Sequence, residues 1–225
     1  FASQLGFEAF EPTSLYQYSF AYHLSDGLPL SALNKINGGV LPRYDQGVKY
    51  TVESATRYIG IALVESIDPF SESGSDSHDI ELAGALFLDH GVSVFAGIRR
   101  NNYDANDSGE TILNTYLTYQ TGAFVFAAEL VSGKREFPGG NDLETSQALF
   151  MVNYSYSDLA SLSGRLSMVD RDFRGISEDF KKYTLAHGYA LREDLFLVNE
   201  FSLVKGQEGG KGYESLTLAA ELIVT

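Results

Sequence analysis

At 225 residues the chain is long enough for one large all-β domain or two smaller ones, and its even strand spacing favours a single domain over 1–225. The absence of Cys excludes a disulfide framework, a thiolate metal site and a cysteine nucleophile. A formal charge of -14 argues against nucleic acid as a partner, because affinity there comes mostly from Lys and Arg neutralising phosphates.

In chain order, segments of apolar–polar alternation run over 5–11, 15–24, 47–55, 58–66, 79–88, 91–99, 111–121, 123–132, 145–157, 160–169, 182–191, 194–204 and 214–224. Residues 1–14 read as an extra strand or arm, which leaves about 12 strands for the main sheet. Phe1 is not an initiator Met and no leader is visible, so a larger barrel with strands before Phe1 is the alternative. The uncharged stretch 111–128 raises the question of a membrane helix. Asn114, Thr118 and Gln120 interrupt it in the pattern of paired strands around a turn at Gly122.

The connections alternate in character. Ala55-Thr56-Arg57, Asp89-His90-Gly91, Thr121-Gly122-Ala123, Ser157-Asp158-Leu159 and Arg192-Glu193-Asp194 read as tight turns. The acidic stretches 68–79, 104–110, 133–144 and 170–179 read as long loops, all on the opposite side. A soluble sheet has no reason for that asymmetry, whereas a barrel crossing an outer membrane has one tight-turn rim and one long-loop rim.

Successive side chains of a strand point to opposite faces of the sheet, so parity assigns them. One face is a continuous apolar skin that includes Val48, Ile61, Leu82, Leu117, Phe126, Phe150 and Leu218. The other carries the mid-strand charges together with several amides: Lys49, Glu53, Glu81, Arg99, Asn114, Gln120, Glu129, Gln147, Asn153, Arg165, Glu200 and Glu221. In a soluble sandwich the apolar face is the core, and in a membrane barrel it meets lipid while the charged face lines the pore. Strand lengths near the membrane requirement of about nine to eleven residues favour the barrel. So do aromatic residues near strand ends, such as Tyr16, Tyr58, Tyr119, Tyr156, Tyr183 and Tyr213.

Leu5-Gly6-Phe7-Glu8-Ala9, the Tyr-rich run from Tyr16 to Tyr22 with its Ser19, then Pro42, Asp45 and Gly47-Val48-Lys49-Tyr50-Thr51 follow one another in a recognisable order. This N-terminal quarter resembles the OmpL-like β-barrel porins of Gram-negative bacteria, and the rest of the chain is similar in its hairpin rhythm. The resemblance implies an outer-membrane barrel for passive passage of small hydrophilic solutes, with no catalytic residue to carry over and no cofactor. Membrane lipid, lipopolysaccharide and a homo-oligomer or larger outer-membrane complex are the expected partners. An excess of acid over base on the charged face predicts a weak cation preference. The rivals are a non-conducting barrel that anchors or binds a partner protein through its acidic loops, and a soluble secreted sandwich that binds carbohydrate through Tyr.

Four further features have simpler readings. Asp104-Ala105-Asn106-Asp107-Ser108-Gly109 opens like a calcium loop, but Thr115 stands where the closing bidentate Glu belongs, and Asp76, His78 and Asp79 form a weaker cluster of the same kind. Both read as solvated loops. Among His23, His78, His90 and His187 only the last sits well inside a strand, without a placeable Ser and carboxylate for a triad. The Gly-rich stretch 206–212 lacks the Gly-Lys-Ser/Thr ending and the following helix of a phosphate loop, so it reads as a hairpin loop.

Overall fold

The computed structural model describes residues 46–67, 76–103, 108–137, 141–192, 195–208 and 210–224. They form β1 (Gln46–Glu53), β2 (Arg57–Ile67), β3 (Asp76–Leu88), β4 (Val92–Tyr103), β5 (Ser108–Thr121), β6 (Phe124–Phe137), β7 (Asn141–Ser157), β8 (Ala160–Phe173), β9 (Ile176–Arg192), β10 (Leu195–Glu208) and β11 (Lys211–Val224). Each strand pairs antiparallel with the next in one 11-stranded meander from β1 to β11. No helix among the described residues is long and apolar enough to cross a membrane, whereas strands such as β5 and β6, at 14 residues each, have the length to do so. The expected strands at 5–11 and 15–24 lie outside the described residues. Because β1 and β11 run in the same direction, an all-antiparallel closure takes an odd number of additional strands between them.

The outer face is greasy and the inner face is enclosed. Leu117 is 44% exposed and Leu218 76%, while on the opposite face Glu81 and Asn114 are at 0%. A flat sheet would expose both faces, so the polar one is covered because the sheet curls around it. That is the geometry of a barrel wall and it excludes the sandwich reading, in which Leu117 and Phe126 would be sealed between stacked sheets.

One sequence expectation is corrected here. Nearly all the described residues of the stretches read as long loops are strand. The segment 170–179 is the end of β8, the start of β9 and a turn at Arg174-Gly175; the segment 206–212 is likewise mostly β10 and β11. Arg174 (φ 55°) and Gly175 (φ 76°) both adopt the left-handed backbone that a two-residue type I′ hairpin turn requires, and Gly takes it without steric cost. The charges in these segments therefore sit opposite one another across strands. Lys134 Nζ lies 2.8 Å from Asp142 across the ladder and 3.3 Å from Glu136 on its own strand, Lys205 lies 3.4 Å from Glu214, and Ser177 donates to Asp172 at 2.7 Å. Cross-strand pairs of this kind stabilise a ladder by about 0.2–1 kcal/mol each, enough to carry hairpins past the apolar belt.

Two of the aromatic residues expected at the rims are inside instead. Tyr58 is buried in a cluster with Phe95, Tyr116, Leu149 and Met151, and Tyr213 packs edge-on against Phe180 at 5.8 Å. The second contact crosses an intervening strand, since Phe180 pairs with Gly206 and Gly206 with Tyr213. A Cβ at Gly206 would overlap the Asp179 carbonyl and the Phe180 ring. Gly206→Val is thus expected to cost about 1–3 kcal/mol through forced displacement of Phe180, read as a lowered urea midpoint of the detergent-solubilised protein. An unchanged midpoint would mean that the ring does not lie over this glycine.

Candidate functional site: the charged inner wall

The inner face is built by parity, so each strand contributes alternate residues to it. Of the residues the sequence assigns to this wall, Glu81, Arg99, Asn114, Glu129, Gln147, Asn153, Arg165 and Glu200 are all buried on it. Gln120 belongs to the same rows through its pairing with Val125, but it is exposed at the tight-turn rim. Lys49 and Glu53 pair with Ala62 and Tyr58, both inner-face residues, yet are exposed because β1 is the edge of the described sheet. Glu221 pairs through its backbone with the buried Val198, and its side chain lies outside the described ones.

The charges are matched along the wall. Arg99 sits directly opposite Glu81 and one step from Asp79, with its guanidinium 2.5 Å from the Asp79 carboxylate and 3.8 Å from that of Glu81. Arg135 faces Glu110 at 2.7 Å, and Arg171 faces Glu178 at 2.5 Å. Lys182 approaches Glu200 at 3.6 Å, Glu200 accepts from Ser202 at 2.6 Å, and Asn114 donates to Glu129 at 2.7 Å. Apart from the Glu200–Ser202 bond, which lies within β10, each of these contacts joins neighbouring strands. Charge-assisted bonds of this length fix the wall side chains and offset the cost of holding them away from bulk water.

Several of these groups escaped the sequence reading. Asp79, Glu110, Arg135, Arg171, Glu178 and Lys182 fell in or beside segments taken for loops. The signal available was symmetry about the turn: Arg171 and Glu178, Asp172 and Ser177, and Phe173 and Ile176 stand at equal distances from Arg174-Gly175 and pair in that register. The inner aromatic patch was also missed. Phe95 and Tyr116 stack at 4.5 Å with planes 10° apart, a contact worth about 0.5–1.5 kcal/mol beyond area burial.

The remaining candidate clusters separate. His187 lies outward beside Tyr183, Leu185 and Tyr189, and its Nε2 is 2.6 Å from the Tyr156 hydroxyl. Phe124, Phe126, Tyr119 and Tyr154 stack nearby, with Phe124 and Tyr154 at 4.7 Å, as an aromatic band at the tight-turn rim. His90 holds a left-handed turn position (φ 66°), and His23 lies outside the described residues. Asp79 is engaged by Arg99 rather than grouped with Asp76 and His78, which are in strand β3 and not in a loop. Residues 104–107 of the calcium-like motif lie outside the described residues, and Thr115 is in mid-β5. Among the described residues no three His, Cys, Asp or Glu side chains converge as metal ligands.

No protein-family model matches the chain, and no curated protein matches it. Solved structures do. In-vitro folded OmpT, an outer membrane protein of Vibrio cholerae, superposes with a TM-score of 0.65 at 14% identity, over 99% of this chain and 72% of that one. A loop-deletion mutant of OmpT gives 0.67 at 15% identity, over 98% of this chain and 73% of that one. The anion-selective porin from Comamonas acidovorans gives 0.63 at 11% identity, over 82% of this chain and 60% of that one. The fold is that of a bacterial outer-membrane β-barrel. At these identities the likeness speaks for fold alone, and the outer membrane is the compartment that an apolar belt of this kind fits.

Proposed function

We propose that the chain is a porin-type channel of the OmpL-like kind, through which small hydrophilic solutes diffuse passively, with no catalytic step and no cofactor. The observation that carries this reading is the inside-out distribution: charged residues such as Glu81, Arg99, Glu129 and Arg165 on the enclosed face, and Leu and Phe on the exposed one. The resemblance of the N-terminal quarter to OmpL-like porins supports it, and so does the fold shared with a porin. Lipid and lipopolysaccharide are the surroundings of the belt in this reading, and a homo-oligomer fits it, since one of the similar OmpT structures is a trimer form.

Selectivity follows from the charge ledger of the wall. Asp79, Glu81, Glu110, Glu129, Glu178 and Glu200 slightly outnumber Arg99, Arg135, Arg165, Arg171 and Lys182. Lateral pairing cancels most of this field, leaving a weak cation preference. In planar bilayers under a KCl gradient, a small reversal potential of cation-selective sign is expected. A clear anion-selective potential would contradict it.

A second reading has its own support. The inner charges are nearly fully enclosed and matched in pairs, as they would be in a narrow, self-neutralised barrel that anchors or binds a partner protein. Single-channel recording separates the two: discrete conductance steps belong to the channel, and a flat baseline from correctly folded protein belongs to the non-conducting barrel.

A further inference from the structure

Inside the tight-turn rim, the inner ends of β5 to β10 surround a cavity of about 270 Å³. Its wall differs from the rest of the interior. Gln120, Asn153, Ser155 and Ser161 supply amides and hydroxyls, Phe196 supplies an apolar side, and the one charge among the described lining residues is Asp158 in the β7–β8 turn. Adjacent register rows bring these groups together: Gln120 pairs with Val125 and Val125 with Asn153, while Ser155 pairs with Ser161 and Ser161 with Gly188. Gly188 and Ala190 add little bulk between Ser161 and Phe196, and that is what leaves the space. Asn153, at 1% exposure, is held by donation to Ser163 Oγ at 2.9 Å, which orients its amide carbonyl as an acceptor.

We propose that this vestibule is a binding subsite for a neutral polyhydroxylated solute the size of one sugar ring. An anion entering this pocket loses hydration and meets no positive charge among the described lining residues, and a cation meets only Asp158 in the β7–β8 turn. A sugar ring exchanges its bound water for amide and hydroxyl partners of both donor and acceptor type, and lays an apolar C–H face against Phe196. The charged pairs toward the other rim have no such complementarity. This assignment deepens the channel reading and rests on it for the class of solute delivered.

The test uses the whole protein refolded in detergent, with glucose as the probe. Saturation-transfer NMR should show saturable glucose binding that persists in 1 M KCl, roughly the ionic strength at which the screening length falls to about 3 Å. Phe196→Ala should weaken that binding about tenfold, the equivalent of one aromatic contact. Gly188→Leu, which fills the space, should abolish it, and Phe196→Ala remains informative if that variant does not fold. Bilayer recording of the same preparations separates the two readings. Conductance without saturable glucose binding overturns the subsite and leaves the channel standing; glucose binding without conductance overturns the channel and leaves the subsite. Loss of binding in KCl, or binding unchanged in Phe196→Ala, also overturns the subsite.

Discussion

Leu117→Arg is expected to destabilise the reconstituted protein by about 2 to 4 kcal/mol, and Phe126→Arg, in the aromatic band nearer the tight-turn rim, by less, measured by reversible urea unfolding in lipid vesicles. Both side chains are on the outward face, at 44% and 41% exposure, within the apolar belt. In water, exposure of this degree would make a charged substitution nearly harmless. In hydrocarbon an Arg must carry its charge into a medium that cannot solvate it, or distort the bilayer to reach water. Leu117→Ala gives the converse comparison. It should cost well below the 2–5 kcal/mol or so of a core Leu→Ala, because lipid chains fill the space that a protein core would leave void. A core-like penalty for Leu117→Ala with no penalty for Leu117→Arg would mean that the barrel is turned the wrong way.

The second large effect concerns the inner wall. Arg171 and Glu178 face each other with side chains 3% and 2% exposed. Removing Arg171 alone strands the Glu178 carboxylate in the enclosed wall, so Arg171→Ala should cost about 3 to 5 kcal/mol. Replacing both with apolar residues of similar volume, Arg171→Met with Glu178→Leu, should recover most of that loss, because the wall then holds neither charge. Urea midpoints of the single and double variants provide the test. Equal loss in the double variant would show that the wall needs these particular hydrogen bonds rather than charge balance.

Much of this architecture is legible in the letters because period-two alternation is the direct consequence of strand geometry. Each strand expected from residue 47 onward exists, and the outward assignment of Leu82, Leu117, Phe126, Phe150 and Leu218 agrees with their exposure. The inward assignment of Glu81, Arg99, Glu129 and Arg165 agrees with their burial. Strand ends were misread where composition argued against strand. Stretches such as Asp170-Arg171-Asp172 look like solvated loop, and only pairing with Ser177, Glu178 and Asp179 across a tight turn makes them strand. That pairing is a property of two segments together, which a window along one segment does not register. Tyr58 and Tyr213 were misplaced for a related reason. Nearness to a strand end suggests a rim position, but parity and the neighbouring Ala85 and Gly206 give each ring room on the inside.

The central claim, that the outward face meets hydrocarbon, is tested most directly by nitroxide labels at single introduced cysteines. The chain holds no Cys, so each label reports one site. After reconstitution into vesicles, labels at Leu82, Leu117 and Phe126 should collide readily with oxygen and be shielded from a water-soluble nickel reagent. Labels at these positions that are protected from both reagents, as in a packed protein core, or open to nickel, would contradict the account.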